Sequence, residues 1–243
     1  MNYLELLTAN FYQFIPVFIR VSIILFFLPY IGSRTVPTIF RFFFALSVSL
    51  AIMPFLTVKD HNFFLSLFDA VVFGLTIGFM VRIMVTAVTI ASHWMSLQVG
   101  FAVANVFNPQ FGELMGPLTV FYEMFTIALF FSLDLHLSLV ELMIRSFEFP
   151  TKFSFVGNII NFSYLMFPLA LKLSAPVLLV QVLMNIGLGF LSRIMPQANV
   201  FFVGFPLLLA TGIVVMWLSM PIFTMVLSKA FINLKDALAG LLR

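Results

Sequence analysis

The sequence predicts an all-α fold: a polytopic membrane protein of long, kinked helical hairpins. Three observations carry that expectation. Hydrophobic residues make up 63% of the 243 positions and charged residues only 9%, where a soluble domain carries roughly 25% charged residues. The mean hydropathy is +1.17. The apolar residues also come in runs long enough to span a bilayer, each broken by a short cluster of Gly, Pro, Asn or charge. A span needs about 20 apolar residues, so the chain has room for roughly six. No stretch is polar enough to fold as a separate soluble domain.

Composition also excludes functions. The net charge of +3 is spread thinly, with no basic run, which argues against nucleic-acid binding. Cysteine is absent, so disulfides, thiolate metal sites and Cys nucleophiles are ruled out. His61, His93 and His136 lack metal-ligand spacing. No Gly-rich phosphate loop accompanies Arg193. Neither an enzyme nor a cofactor is expected. The N-terminus has no basic residue before Arg20 and no small-residue cleavage signature, so it reads as the entry to a retained first helix.

The first helix is expected over about Phe11–Tyr30 and contains Pro16, Arg20 and Pro29. An arginine so far inside a span must face protein or a water-filled space. A loop with Gly32, Ser33, Arg34 and Pro37 leads to a second helix, Thr38–Met53, which Pro54 ends. A polar turn at positions 58–62 reverses the chain. The third helix, Phe63–Ala104, outruns a bilayer at about 1.5 Å per residue. It must tilt, break near Gly74 and Gly78, or extend beyond the membrane. In its second half Arg82, Thr86, Thr89, His93, Ser96 and Gly100 alternate at spacings of four and three, which is a single helical stripe. Such a stripe is either a helix-packing seam or a pore lining.

The most distinctive stretch is Gln98–Pro117, QVGFAVANVFNPQFGELMGP. Its Gly, Pro and Asn residues cannot continue a helix, yet Phe101, Phe107, Phe111, Leu114 and Met115 make it too apolar for an ordinary solvated loop. Non-helical backbone at membrane depth is tolerated only when buried in protein or lining a cavity. The stretch is thus either a re-entrant, cavity-facing loop or a plain turn at the membrane surface. A fourth helix follows, Leu118–Ile144, with Glu123, Asp134 and Glu141. An antiparallel hairpin turning around Asn108–Gln110, with paired positions summing to about 220, sets Gln98 beside Glu123 and Arg82 beside Glu141, giving each buried charge a partner.

The polar linker Arg145–Asn161 separates two halves. The fifth helix, Phe162–Leu191, carries Gln181 and Asn185 on one face, where both can hydrogen-bond across helices. The sixth, Phe201–Ile232, has Pro206 and Pro221 as expected kinks, and the tail from Lys229 is amphipathic. The distribution of Lys and Arg does not settle orientation, since the over-long helices depart from the simple spans that the positive-inside rule presumes.

The stretch Leu188–Leu209 contains Arg193, Pro196, Gln197, Asn199, Val200, Phe201, Val203, Gly204, Phe205, Pro206 and Leu207. With Gln98–Pro117 and Leu28–Phe43, it resembles the FliR family of type III secretion export-gate proteins, in the family's order and over almost the whole chain. The resemblance implies a FliP-like first part, 1–150, and a FliQ-like C-terminal hairpin, 160–243, in one export-gate membrane domain. It implies a subunit of the flagellar export gate, assembled with FliP and FliQ homologues in the bacterial inner membrane at the flagellar basal body. FlhB and FlhA homologues, unfolded flagellar export substrates and membrane lipid are the other implied partners. Residues Phe107, Asn108, Pro109, Phe111, Gly112, Leu114 and Met115 match the family's pore plug, with Gly100, Gly116 and Pro117 as its hinge. Arg193, Pro196, Gln197 and Asn199 match the turn that meets FlhB. Arg82, Gln98, Glu123 and Glu141 remain the candidate buried polar set.

Three other readings stay open. The chain could serve the related gate of a virulence injectisome. It could be a self-contained secondary transporter, although such proteins usually show paired broken helices in two matching halves, and these halves differ. It could be a structural scaffold with no part in a pore.

Overall fold

In the computed structural model the described residues are 3–28, 36–56, 62–101, 116–147, 160, 162–196 and 200–240. They form seven α-helices: α1 Tyr3–Phe27, α2 Thr38–Ile52, α3 Phe63–Val99, α4 Pro117–Ser132, α5 Leu135–Arg145, α6 Met166–Ile194 and α7 Val200–Gly240. A single 3-10 turn, Met53–Phe55, extends α2, with Pro54 inside it. The all-α expectation holds.

Several expected boundaries move, each for a local reason. The helix expected over Leu118–Ile144 is two helices, because Asp134 takes φ 53°, ψ 26°, a left-handed conformation that a right-handed helix cannot contain. The third helix does not break at Gly74 or Gly78 but runs unbroken to Val99. The sixth runs eight residues further than expected, to Gly240, and holds Pro206 and Pro221 within it. Among the described residues four helices are long and apolar enough to cross a membrane, or five counting α4 with α5 as one broken span. One of the six spans expected from length is bent, between α4 and α5.

Burial separates α3 from the others. Two-thirds of its best span is buried (67%), against 17% for α2 with its 3-10 turn and 22% each for α6 and α7. A helix that is apolar on all sides belongs in the interior. The chain divides into two compact units, and α3 passes through both: residues up to Met84 belong to the first and residues from Val85 to the second.

The first unit comprises Met1–Met84, Asp134–Tyr164 and Ile232–Arg243. Here α1 and α3 run parallel at a constant offset. Tyr12 meets Phe63, with ring centroids 5.2 Å apart, while Ile23 lies over Gly74 and Phe27 over Gly78. Ala70, Gly74 and Gly78 recur every four residues, the spacing at which small residues let membrane helices approach closely. Arg20 is buried at 2% exposure beside this seam. Its Nη1 donates to Ser146 Oγ at 2.7 Å. Its guanidinium lies 3.7 Å from the ring centre of Phe147 and 4.8 Å from that of Phe73. Asp69 supplies the opposing charge. The arginine therefore faces protein, and cation–π contacts, worth about 2 kcal/mol when desolvated, replace much of the hydration it has lost.

The second unit comprises Val85–Leu133 and Leu165–Phe231. One stripe of α7, Gly212, Met216, Ser219, Phe223, Leu227 and Phe231, is buried. It meets α4 in parallel register: Tyr122 packs on Phe223 with centroids 4.6 Å apart, and Phe130 on Phe231 at 6.0 Å. Tyr122 is the largest fully buried side chain of this unit.

Glycine-to-alanine substitutions should separate packing from propensity. Alanine favours a helix interior over glycine by about 1 kcal/mol. At Gly187 nothing lies within 4 Å of an added Cβ, so Gly187→Ala should hold or raise the melting temperature in detergent. At Gly78 the added Cβ meets Phe27 Cβ at 2.8 Å, so Gly78→Ala should lower it despite the propensity gain, by about 1–3 kcal/mol of overpacking. Equal shifts for the two variants would contradict the seam.

Candidate functional site at the end of α3

The loop singled out by sequence is anchored at both ends by local chemistry. At the C-terminus of α3, Gly100 adopts φ 97°, a left-handed region that favours glycine. The Phe101 N–H donates to the Ser96 carbonyl at 3.0 Å and the Gly100 N–H to the Leu97 carbonyl at 3.2 Å. This is the Schellman pattern, which satisfies carbonyls that a helix end leaves free. The chain re-enters at Gly116, extended at φ −60°, ψ 157°, with Pro117 opening α4 at a position where its missing N–H costs nothing. Gly100, Gly116 and Pro117 are thus structural terminators. Residues Phe107, Asn108, Pro109, Phe111, Gly112, Leu114 and Met115 lie outside the described residues, as do Gln197 and Asn199.

Two contacts set the register of α3 against α4. Thr89 Oγ1 donates to Glu123 Oε1 at 2.8 Å. A Cβ on Gly116 would lie 2.6 Å from Ser96 Oγ. Positions 89 and 123, and 96 and 116, each sum to 212, about two helical turns from the expected 220. The reason is the bare Gly116, which lets Ser96 pack directly on the start of α4. At Thr89 and Ser96 the polar stripe is therefore a packing seam. Ser92, beside it, is buried and donates to the Thr89 carbonyl at 2.9 Å. Gln98 is half-buried near the end of α3. Arg82, expected to be buried beside Glu141, is exposed, on the part of α3 that belongs to the first unit. Glu141 takes Arg145 at 2.7 Å, one turn along α5, with both side chains about 60% exposed. Arg193 is exposed in the last turn of α6, where the helix dipole favours a cation. Pro196 is exposed just beyond it.

The end of α3 is also the point where α6 and α7 meet it. The Phe205 ring covers Gly100, its Cε2 3.2 Å from where a Cβ would stand. At Gly212 the same space is filled by Val99, at 2.5 and 2.6 Å, and by Gln181 Nε2, at 2.7 Å. Gln181 is fully buried and donates from Nε2 to the Leu208 carbonyl at 3.0 Å. The expectation of a cross-helix bond from α6 is met at Gln181, whereas Asn185 is exposed. The two distinctive stretches of sequence, 98–117 and 188–209, therefore meet at Gly100 and Phe205. Spacing alone carried no signal for that meeting. The glycines were the only hint, since a glycine within a helix marks a close neighbour more often than a bend. Among the described residues no three His, Asp or Glu side chains group as metal ligands.

The profile of the bacterial export proteins, family 1, matches residues 11–234. The chain belongs to that family. It is 33% identical to the flagellar biosynthetic protein FliR of Bacillus subtilis over 241 residues, covering 91% of each chain. It is 28% identical to that of Aquifex aeolicus, covering 88% of this chain and 87% of the other. To that of Escherichia coli it is 27% identical, covering 88% and 86%. The FliR resemblance read from the sequence is thereby upheld, and the family's residues include both sides of the Gly100–Phe205 contact.

Gly212→Ala should lower the melting temperature of the detergent-solubilised protein. A new Cβ cannot coexist with Val99 and Gln181, and overpacking costs about 1–3 kcal/mol. Gly100→Ala should cost about 1–2 kcal/mol through its left-handed backbone. A melting temperature unchanged in both variants would refute the junction described here.

Proposed function

We propose that this chain is a subunit of the flagellar type III protein export gate in the bacterial inner membrane at the basal body. With homologues of FliP and FliQ it forms the pore that unfolded flagellar proteins cross. The observation that carries this reading is the 33% identity to the Bacillus subtilis FliR protein over 91% of both chains. The named relatives are flagellar, which favours the flagellar over the injectisome system. Surface character supports an assembled state: the spans of α2, α6 and α7 are only 17–22% buried within this chain. Their apolar faces are left for lipid and neighbouring subunits to cover.

In this reading the first part, 1–150, is FliP-like and the hairpin 160–243 is FliQ-like. The hairpin's turn, with Arg193, Pro196, Gln197 and Asn199, meets an FlhB homologue, and an FlhA homologue joins the apparatus. Residues Phe107, Asn108, Pro109, Phe111, Gly112, Leu114 and Met115 plug the closed pore. Phe and Met repack readily, and an apolar constriction blocks ions by dewetting. The plug has to yield to a threading polypeptide and close behind it, and a compliant apolar seal suits both needs. Support comes from its two ends, since the Schellman turn at Gly100 and the start of α4 at Gly116 fix where the loop leaves and returns. Glu123 supplies a polar contact that holds α4 against α3, through Thr89 at 2.8 Å.

Deleting Phe107–Leu114 should leave assembly with the FliP and FliQ homologues intact and make the membrane leak small ions, read as loss of membrane potential. A tight membrane would end the plug reading. A stalled export substrate should crosslink to a photoreactive group placed at Phe111, and a substrate that never does so would reduce the chain to a scaffold.

A further inference from the structure

Gln181 is the one fully buried amide at the junction of α3, α6 and α7, and its hydrogen bonding is lopsided. Nε2 donates to the Leu208 carbonyl at 3.0 Å. Oε1 is buried and has no hydrogen-bond partner. A buried acceptor without a donor opposes the arrangement that holds it, whereas an apolar side chain of the same shape opposes nothing. The surroundings are tight. Gly212 has no room for a Cβ, with Val99 and Gln181 already within 2.7 Å of where it would stand. The Phe205 ring closes over Gly100 on the neighbouring turn. A position this closely packed would suit Met or Leu, and the polar group is the expensive choice for an apolar helix.

We propose that Gln181 is a switch residue rather than a stabilising one. Its single bond to α7 holds the junction in the arrangement seen here, and its unmet acceptor keeps that arrangement from being too stable. A small sliding of α6 against α7 lets Oε1 reach a donor. The hydroxyl of Thr211, beside Gly212 and now donating to the Leu207 carbonyl at 2.7 Å, is a donor on α7. Packed elements of this kind have discrete alternatives and do not deform continuously. The α6–α7 hairpin is thereby poised to move against the end of α3. The proposal rests on the reading of the chain as an export subunit, and it needs nothing from residues 102–115.

The test is Gln181→Met, which preserves volume while removing both the donor and the orphaned acceptor. It is made in the full chain within the assembled complex, in a strain lacking its own copy. Restoration of export by the unsubstituted chain establishes the export reading independently of Gln181. The expected result for Gln181→Met is a complex whose melting temperature is unchanged or raised by about 1–3 °C. Secreted flagellar protein should fall at least about fivefold, as stability gained at a functional site commonly costs activity. A lowered melting temperature or a lost complex would show that Gln181 is an ordinary structural bond and overturn the proposal. Undiminished secretion would overturn it equally.

Discussion

Helices that share a bilayer gain little from hiding apolar surface from one another, because lipid is as apolar as they are. What remains is close packing, and this chain achieves it by bringing backbones together where side chains are missing. In the first unit Gly74 and Gly78 take Ile23 and Phe27 almost onto the α3 backbone. In the second unit Gly116 admits Ser96, and Gly212 admits Val99 and Gln181. All of these contacts but that of Gly212 with Gln181 involve α3, which fits that helix being the buried one while α2, α6 and α7 remain largely uncovered.

Polar groups inside such a framework have to be matched locally. Arg20 shows one solution, with a hydroxyl, two aromatic faces and a carboxylate gathered around a buried cation. Glu123 shows another, held by a threonine one helix away. Gln181 is matched on only one side, and it stands where the last turn of α3 is clasped by the C-terminal hairpin. Arg20 is not fully matched either, since its Nε is buried without a hydrogen-bond partner.

The ends of the 102–115 segment are set by local backbone chemistry. Gly100 terminates α3 with a left-handed turn, and Pro117 starts α4 with the residue best suited to a first turn. Both were legible in the sequence, because Gly and Pro act through their own backbone geometry and need no distant neighbour. Pro206 and Pro221 lie inside α7, where the sequence placed them. A long helix can absorb a proline when neighbouring helices and side-chain hydroxyls satisfy the carbonyls it frees.

The sequence by itself determined the helical class, the membrane setting, the position of the interrupted loop and the family, since these follow from composition, local backbone chemistry and a dense motif. It also required Arg20 to face protein or a water-filled space, because no charge so deep in an apolar helix can face lipid, and the structure shows protein. Only the tertiary structure decided the register of 212 between α3 and α4, the break at Asp134, and the meeting of Gly100 with Phe205 and of Gly212 with Gln181. Periodicity assigns residues to a face, and what that face touches depends on how far one helix slides along another. A sliding distance is set by the summed fit of many small contacts, and no single stretch of the chain encodes that sum.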